Sequence, residues 1–316
     1  MRRMAVCALL VVALAALLSI PVRETAAPAA PTTEVRTMDL RAFSDAKLDR
    51  SLRLLFIHHS VGGALLAAPG PADEAARCIW RSHPEGGNVR ELLRGQGYEV
   101  HEASYGSALG DRTDLFDWLP KFRDQMDRVL ACDQNDRAYG DGDRNDVVIF
   151  KSCYPNNRFV GEGVAPGDPR GPELTVWNAK AALTALLPEL QKHPGTLFVF
   201  LSVPPQAPAP KVPLWRWGVK KVLGKPAYAD VLAEQAALAR RFNDWVVSRD
   251  GWLRDYPLSN VVVFDLFGAL VADGTNLLAY PSREGDSHPS RAGNDAVARE
   301  LVPFLNRAAR RAGLAD

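Results

Sequence analysis

Five short apolar runs, separated by segments with helical patterning, constrain the fold of this chain more than any other feature. The runs occupy residues 52–57, 98–103, 146–150, 196–203 and 260–264. Between them, apolar side chains recur at helical spacing, as in the leucine-rich stripe over 183–190. Parallel neighbours in a sheet need a crossover, and the crossover is normally a helix. The alternation therefore predicts a parallel sheet with helices on both faces.

Length and composition favour a single domain of this kind. The chain has 316 residues and a hydrophobic content of 47%, which is ample for a buried core. We predict an α/β fold with three layers, α/β/α, around a five-stranded, mostly parallel sheet over residues 51–312. Residues 31–50 are predicted to be a polar leader that ends in a short helix. A Pro- and Trp-rich insertion at 203–226 is expected to form a lid or rim over the site, where Trp215 and Trp217 would contact substrate. The alternative is an ordinary surface loop that its tryptophans dock onto the protein.

The N-terminus has the layout of a secretory signal peptide. Arg2 and Arg3 precede an apolar run over 5–20 that only Ser19 interrupts, and small residues follow around 25–30. This pattern predicts export to the periplasm or beyond, with residues 1–30 as the signal. An apolar run of about 16 residues is slightly short for a membrane span, which needs roughly 20. If it stays uncleaved, the segment would associate the protein with a membrane or the cell envelope.

Charge and cysteine content argue against a nucleic-acid-binding protein and against a fold held by several disulfides. The net charge of the chain is +1, and removing residues 1–30, with three arginines and one glutamate, lowers it by two. Such a balance does not favour a nucleic-acid partner. The three cysteines that remain, at positions 78, 132 and 153, allow at most one internal disulfide. No metal or organic cofactor is predicted, although His58, His59 and His288 could form a metal site without carboxylate support.

Polar residues follow the ends of the predicted strands. Ser60 follows the first run in HHSVGG, Gly106 follows the second in SYGSALG, Asn156 and Asn157 follow the third in KSCYPNN, and Asp286 and His288 follow the last in GDSHPSRAGN. In open α/β sheets, ligands bind beyond the carboxyl ends of the strands. We therefore expect a serine, a glycine, an asparagine and a histidine to meet at one edge of the sheet.

The order and context of these segments resemble the SGNH/GDSL hydrolase family from Leu52 to about Leu305. HPSRAGN is the most specific part, because that family closes with a histidine, a proline and a glycine leading into the terminal helix. The resemblance implies a flavodoxin-like fold, with Ser60 as the nucleophile and His288 as the general base. It also implies an oxyanion hole formed by the N–H groups of Ser60 and Gly106 and the side-chain amide of Asn156.

Two positions depart from the family pattern. The first block reads HHS rather than GDS, which alters the residues beside the nucleophile and not the attacking group. In the last block, Gly285 stands where the family has its aspartate, three residues before the histidine. The nearest acid is Asp286, and positions i and i+2 of an extended loop point the same way, so Asp286 is expected to orient His288. Glu284 and Asp265 are the alternative acids.

Other interpretations of these residues stay open. Ser60 could be the N-cap of the following helix, since serine is a favoured cap. Asn157 could supply the oxyanion amide in place of Asn156. Gly62 and Gly63 are expected to let the backbone approach a ligand.

The constellation indicates acyl-transfer chemistry, because a serine hydroxyl is a weak nucleophile and needs a neutral imidazole to take its proton. The resemblance implies an exported serine hydrolase that cleaves an ester, on an acylated carbohydrate or a lipid-like molecule, through an acyl-enzyme. One alternative is O-acyl transfer to an envelope polysaccharide by the same residues. Another is a non-catalytic carbohydrate-binding protein with the same fold.

Overall fold

The structure is a computed structural model that describes residues 38–73, 76–140, 142–210 and 228–316. The predicted signal peptide lies outside the described residues, and so do Trp215 and Trp217 of the predicted insertion. Within those ranges, no helix combines the length and the apolar character that crossing a membrane requires.

Strands and helices alternate along the described chain. The strands are β1 (Leu52–Ile57), β2 (Ala68–Pro69), β3 (Ser82–His83), β4 (Tyr98–Ala103), β5 (Val147–Lys151), β6 (Leu197–Leu201) and β7 (Val261–Phe264). The α-helices are α1 (Ser60–Leu66), α2 (Val89–Gly95), α3 (Trp118–Leu130), α4 (Val176–Gln191), α5 (Tyr228–Val247), α6 (Leu266–Leu270) and α7 (Arg291–Arg311). The short strands β2 and β3 pair only with each other, and the other five strands form the main sheet.

The main sheet is parallel throughout, with the order β4-β1-β5-β6-β7. Counted along the chain, its strands lie in the order 2-1-3-4-5, which is the flavodoxin-like arrangement. Ile57 at the end of β1 is opposite Ala103 of β4 on one side and Phe150 of β5 on the other. The segments that leave β4, β1 and β5 therefore emerge side by side.

Helices cover both faces of this sheet, because its strands are apolar on both sides. On one face, α3, α4 and α5 pack against side chains that include Ile57 and Phe150. On the other face, α1, α2, α6 and α7 pack against side chains that include Phe56 and Ile149. The predicted three-layer α/β/α architecture with a five-stranded parallel sheet is thus confirmed.

The segment before β1 differs from its prediction. Residues 38–50 form turns and extended chain without a helix, so the predicted short helix is wrong for these residues. Leu40 and Leu48 are buried in the core that contains α2 and α7. Asn306 of α7 donates from Nδ2 to the carbonyl oxygens of Asp45 and Ala46 at 2.8 and 3.1 Å. Packing on α7 therefore makes this segment part of the folded core.

Candidate active site

Ser60 lies where β1 ends and α1 begins. The N–H of His58 still donates to the carbonyl oxygen of Ala103 in β4 at 3.0 Å, and the chain then leaves the sheet. His59, with φ −120° and ψ −159°, is the N-cap of α1, and its carbonyl oxygen accepts the N–H of Gly63 at 3.1 Å. Ser60 is therefore the first helical residue rather than the cap.

The two glycines of α1 are explained by close packing. A Cβ atom at Gly62 would lie 2.4 Å from the Cβ of His58, and one at Gly63 would lie 2.0 Å from the carbonyl oxygen of Cys78. Side chains do not tolerate such distances. The glycines let the first turn of α1 pack closely against His58 and Cys78. This packing accounts for both glycines, whereas their expected role in letting a ligand approach the backbone stays a prediction.

Ser60, His288 and Asp286 form one chain of hydrogen bonds. Ser60 Oγ is 2.9 Å from His288 Nε2, although the two residues are 228 positions apart. His288 Nδ1 is 2.7 Å from Asp286 Oδ1. Because a carboxylate only accepts hydrogen bonds, Nδ1 carries the proton and Nε2 is left to accept from the Ser60 hydroxyl. This is the orientation that a serine nucleophile requires of its base.

The loop that carries His288 runs between α6 and α7 and is fastened at several points. Ser282 N–H donates to the carbonyl oxygen of His288 at 2.9 Å, and Ala207 N–H, beyond β6, donates to Ser287 Oγ at 2.9 Å. The Tyr154 ring meets the imidazole edge-on, with ring centroids 5.4 Å apart and planes at 81°. These contacts come from separate segments, so they hold the imidazole beside Ser60.

Asp286 contacts His288 through a tight turn. In this turn the carboxylate of Asp286 accepts the backbone N–H of the residue two positions later, which is His288 itself. Its Oδ1 accepts the N–H of His288 at 3.0 Å as well as the ring proton. Its Oδ2 accepts from Arg283 Nε at 3.0 Å. Burial alone would raise the pKa of Asp286, but the side-chain and backbone hydrogen bonds from His288 outweigh it and bring the pKa to about 2. The carboxylate is therefore ionised at neutral pH.

The two alternative acids, Asp265 and Glu284, have surroundings different from those of Asp286. Asp265 is the N-cap of α6, where its Oδ1 accepts the N–H of Gly268 at 2.8 Å and the hydroxyl of Ser202 at 3.2 Å. Glu284 is exposed. Asp286 is thus the acid in contact with the imidazole.

The three histidines considered for a metal site do not converge on one point. His288 faces Ser60, whereas His58 Nε2 faces Glu102 and His59 Nε2 faces a carbonyl oxygen. No group of three or more ligating side chains that could hold a metal ion occurs in the described part of the chain. The cysteines at 78, 132 and 153 are unbridged.

His59 ties the start of α1 to the loop that follows β4. Its Nε2 is 2.7 Å from the carbonyl oxygen of Gly110, and its Nδ1 is 3.2 Å from Thr113 Oγ1. Burial lowers the pKa of His59 to about 4, against the opposing effect of the hydrogen bond to Gly110. The ring is therefore neutral at neutral pH, with Nε2–H donating to Gly110 and Nδ1 accepting from the Thr113 hydroxyl.

A buried polar cluster lies next to Ser60 in the chain, around His58. His58 is fully buried, and its Nε2 is 3.1 Å from Glu102 Oε2. Arg90 of α2 binds the other oxygen of Glu102 through Nε at 3.0 Å and also through Nη2. Burial would raise the pKa of Glu102, but the interactions with His58 and with the Arg90 guanidinium hold it below its usual value. The cluster fixes β4 and α2 against the end of β1.

Gly106 lies at the predicted edge, but its N–H is already engaged. It adopts a positive φ of 76°, and its N–H donates to Asp111 Oδ1 at 2.8 Å. The structure therefore does not present this N–H as a free oxyanion donor.

The two asparagines after β5 have different surroundings. Asn156 donates from Nδ2 to Asp114 Oδ1 at 2.7 Å, which uses one of its two amide hydrogens, and its Oδ1 accepts the N–H of Leu115 at 2.8 Å. Asn157 is fully buried and uses both amide hydrogens on the carbonyl oxygens of Val203 and Pro204, at 3.0 and 2.9 Å. Asn156 therefore keeps a hydrogen to offer, whereas Asn157 belongs to the core.

Two tyrosines at the site were missed by the sequence analysis. Tyr105 stacks on His59, with ring centroids 3.7 Å apart and planes at 23°, and Tyr154 contacts His288 as described above. The only signal was their position directly beyond the ends of β4 and β5. Aromatic residues at such positions are too common to predict a site contact.

This chain shows only weak similarity to known proteins. No protein-family model matches the sequence, and no curated protein matches it. Among solved structures, an acetylxylan esterase mutant from Geobacillus stearothermophilus is 16% identical, with a TM-score of 0.40, over 83% of this chain and 96% of that one. A GDSL-like lipase from Bacteroides thetaiotaomicron is 13% identical, with a TM-score of 0.39, over 80% and 88% of the two chains.

A third similar structure is the periplasmic domain of a lipopolysaccharide acetyltransferase from Salmonella ser. Paratyphi A. It is 12% identical, with a TM-score of 0.36, over 86% of this chain and 90% of that one. At such identities and TM-scores, these likenesses support neither an activity nor a substrate for this chain, and the function has to be argued from its own site.

Proposed function

We propose that this chain is an exported serine hydrolase of the SGNH type, which cleaves an ester through an acyl-enzyme on Ser60. The observation that carries the proposal is the continuous hydrogen-bonded chain from Ser60 Oγ through His288 to Asp286. The sequence resemblance supports the family, and the N-terminal pattern supports export. The proposed substrate class is an acylated carbohydrate or a lipid-like ester of the cell envelope.

The geometry fits a two-step acyl transfer. Ser60 Oγ bonds to the ester carbonyl carbon while its proton passes to His288 Nε2 and the carbonyl π electrons move onto oxygen. The carbonyl then re-forms, the bond to the leaving oxygen breaks, and that oxygen takes the proton from His288. Water repeats the sequence on the acyl-enzyme and releases the acid. Asp286 stabilises the imidazolium throughout, and proton transfer of this kind contributes about 10² to 10⁴ in rate.

Steady-state hydrolysis of p-nitrophenyl acetate by the full chain tests the proposal. Ser60→Ala and His288→Ala should each lower kcat/KM by at least about 10³-fold, and the double variant should lose little more, because the two residues act as a unit. Ser44→Ala, at an exposed position in the segment before β1, is the matched control and should keep full activity. A Ser60→Ala variant with native turnover would overturn the proposal.

The products distinguish the alternatives. With an acetylated oligosaccharide as donor and an unacylated glycan present, hydrolysis releases free acetate, whereas transfer acylates the second glycan. We expect free acetate as the main product. If the native protein turned over no short ester, and if Ser60→Ala kept the glycan affinity of the native protein, the chain would be a binding protein instead.

A further inference from the structure

The peptide group between His59 and Ser60 is held at its carbonyl end by three donors. The carbonyl oxygen of His59 accepts the N–H groups of Gly62 and Gly63, at 2.9 and 3.1 Å, from the first turn of α1. The third donor is the ring nitrogen Nδ1 of His58, at 2.9 Å. The orientation of this peptide group is therefore set by the helix backbone and by one side chain together.

The other end of the same peptide group is the N–H of Ser60. In a planar trans peptide the N–H and the carbonyl point in opposite directions, so this N–H points away from α1. Unlike the N–H of Gly106, it has no acceptor in the described part of the chain. Because Ser60 Oγ contacts His288, a free donor on the same residue is suitably placed for the carbonyl oxygen of an ester that Ser60 attacks.

The ring of His58 is fixed on its far side as well. It is fully buried, and its Nε2 is 3.1 Å from Glu102 Oε2, while Arg90 binds the other oxygen of Glu102. Carbonyl and carboxylate oxygens only accept hydrogen bonds, so each contact requires a proton on the ring nitrogen concerned. Gly62 leaves space for the ring, since a Cβ atom there would lie 2.7 Å from the Cγ of His58. Nδ1 is therefore held toward the carbonyl oxygen of His59.

We propose that His58 is a positioning residue of the oxyanion hole, which orients the peptide group that carries the N–H of Ser60. The inference rests on the proposed function and gives a role to the first histidine of HHS, the block that departs from the family pattern. The hydrogen bond from His58 keeps the peptide plane in place. It also polarises the peptide group in the direction that makes the N–H a stronger donor.

The proposed role belongs to the attack on the ester. When Ser60 Oγ bonds to the carbonyl carbon and its proton passes to His288, the π electrons of the carbonyl collect on its oxygen. The N–H of Ser60 donates to that oxygen, and His58 keeps both of its protons throughout. Because the charge on the oxygen develops only toward the transition state, losing the donor from His58 should lower kcat rather than raise KM.

Two substitutions of His58 separate the two hydrogen bonds of its ring. In His58→Gln, the amide nitrogen takes the place of the ring Nε2, so the contact with Glu102 is kept and the donor to the His59 carbonyl is lost. On p-nitrophenyl acetate, kcat should fall about 10- to 10²-fold with KM changed less than about twofold, the loss expected for a misplaced oxyanion donor.

His58→Asn is the conservative variant, because its amide nitrogen takes the place of the ring Nδ1 and still donates to the His59 carbonyl. It no longer reaches Glu102, so it should unfold at a lower urea concentration while losing less than about threefold in kcat. His101→Gln is the matched control. His101 Nε2 is 3.2 Å from Glu99 Oε1, another histidine–glutamate contact of β4, and the variant should keep native kcat.

Rates are normalised to active sites titrated with a fluorophosphonate, so that unfolded protein does not count. A trifluoromethyl ketone that adds to Ser60 as a tetrahedral adduct provides a second readout, because the adduct oxygen occupies the oxyanion position. Its affinity for His58→Gln should fall by the same factor as kcat. Equal losses of kcat in the two variants of His58, or a raised KM with native kcat in His58→Gln, would show a merely structural role and overturn the inference.

A measurement on the native protein needs no variant to fold. Nitrogen-15 NMR of histidine-labelled protein should show a proton on Nδ1 of the buried His58, and an unprotonated Nδ1 would overturn the inference. If Ser60→Ala were inactive while His58→Gln was normal, only this inference would fail. Native turnover by Ser60→Ala would remove the proposed function itself.

Discussion

Asp286 Oδ1 accepts two hydrogen bonds from the single residue His288, at 2.7 Å from the ring Nδ1 and at 3.0 Å from the backbone N–H. One carboxylate oxygen thereby fixes both the ring and the main chain of the candidate base. The shortened Asp-x-His spacing reaches the ring nitrogen that orients a catalytic imidazole, because the chain turns between the two residues instead of running extended.

Replacing Asp286 by Asn should lower kcat by about 10³ to 10⁴-fold while leaving the protein folded, since the amide no longer fixes the tautomer of His288. Steady-state kinetics on a short ester, with a thermal melt of the same sample, measure both effects. Asp273→Asn, in the exposed turn after α6, is the control and should behave as the native protein. A native kcat in Asp286→Asn would assign the orienting role to another group.

Alanine substitutions of the two asparagines after β5 should have different effects. The substitution at Asn156 should lower activity, and the one at Asn157 should lower stability. Asn156→Ala removes a candidate oxyanion donor, so kcat should fall about 10² to 10³-fold. Asn157→Ala leaves the buried carbonyl oxygens of Val203 and Pro204 without their partner, at about 1–3 kcal/mol for each unpaired group. Urea unfolding and kcat per titrated active site check this division. The reverse pattern would make Asn157 the donor.

His59 should make the free energy of unfolding depend on pH. Its folded pKa is about 4 against an ordinary value of 6.5, because burial disfavours the charged ring. As the pH falls below 6.5, the unfolded chain takes up a proton that the folded protein resists until about pH 4, so stability is lost across that window. The full effect is at most about 3 kcal/mol. Urea unfolding from pH 7.5 to 4.5 should show a shallower loss in His59→Gln, and parallel curves would contradict this prediction.

Arg90 and Arg94 of α2 provide a matched pair of ion-pair tests. Arg90 is buried against Glu102, whereas Arg94 pairs with the exposed Glu91 at 2.6 Å. Arg90→Met strips a partner from a buried carboxylate and should cost about 3–5 kcal/mol of unfolding free energy. Arg94→Met should cost less than about 1 kcal/mol. Similar losses in the two variants would show that the buried cluster contributes no special stability.

The sheet could be predicted from the sequence because a parallel sheet covered on both faces requires continuous apolar runs. The runs at 52–57 and 98–103 coincide with β1 and β4, and the other three strands start within one residue of their predicted positions. Once the strands are placed, their parallel order puts the segments with Ser60, Gly106 and Asn156 at neighbouring positions. The catalytic roles of these residues stay predictions.

Other features could not be predicted, because they depend on how loops fold and on which polar side chains turn inward. Nothing in SYGSALG indicates that Asp111 takes the N–H of Gly106. Strand alternation does not show that Glu102 is buried, since its partners come from α2 and from the residue after β1. The packing of residues 38–50 on α7 is a long-range contact without a local pattern.

The central claim is that Ser60 is an activated nucleophile, and covalent labelling tests it most directly. The full chain is treated with a fluorophosphonate at neutral pH, digested, and the modified peptide is identified by mass spectrometry. The hydrogen-bonded chain through His288 predicts a single adduct on Ser60 Oγ, and it predicts that labelling is lost in His288→Ala. Labelling at a different serine, or no labelling of a folded and homogeneous sample, would contradict the assignment.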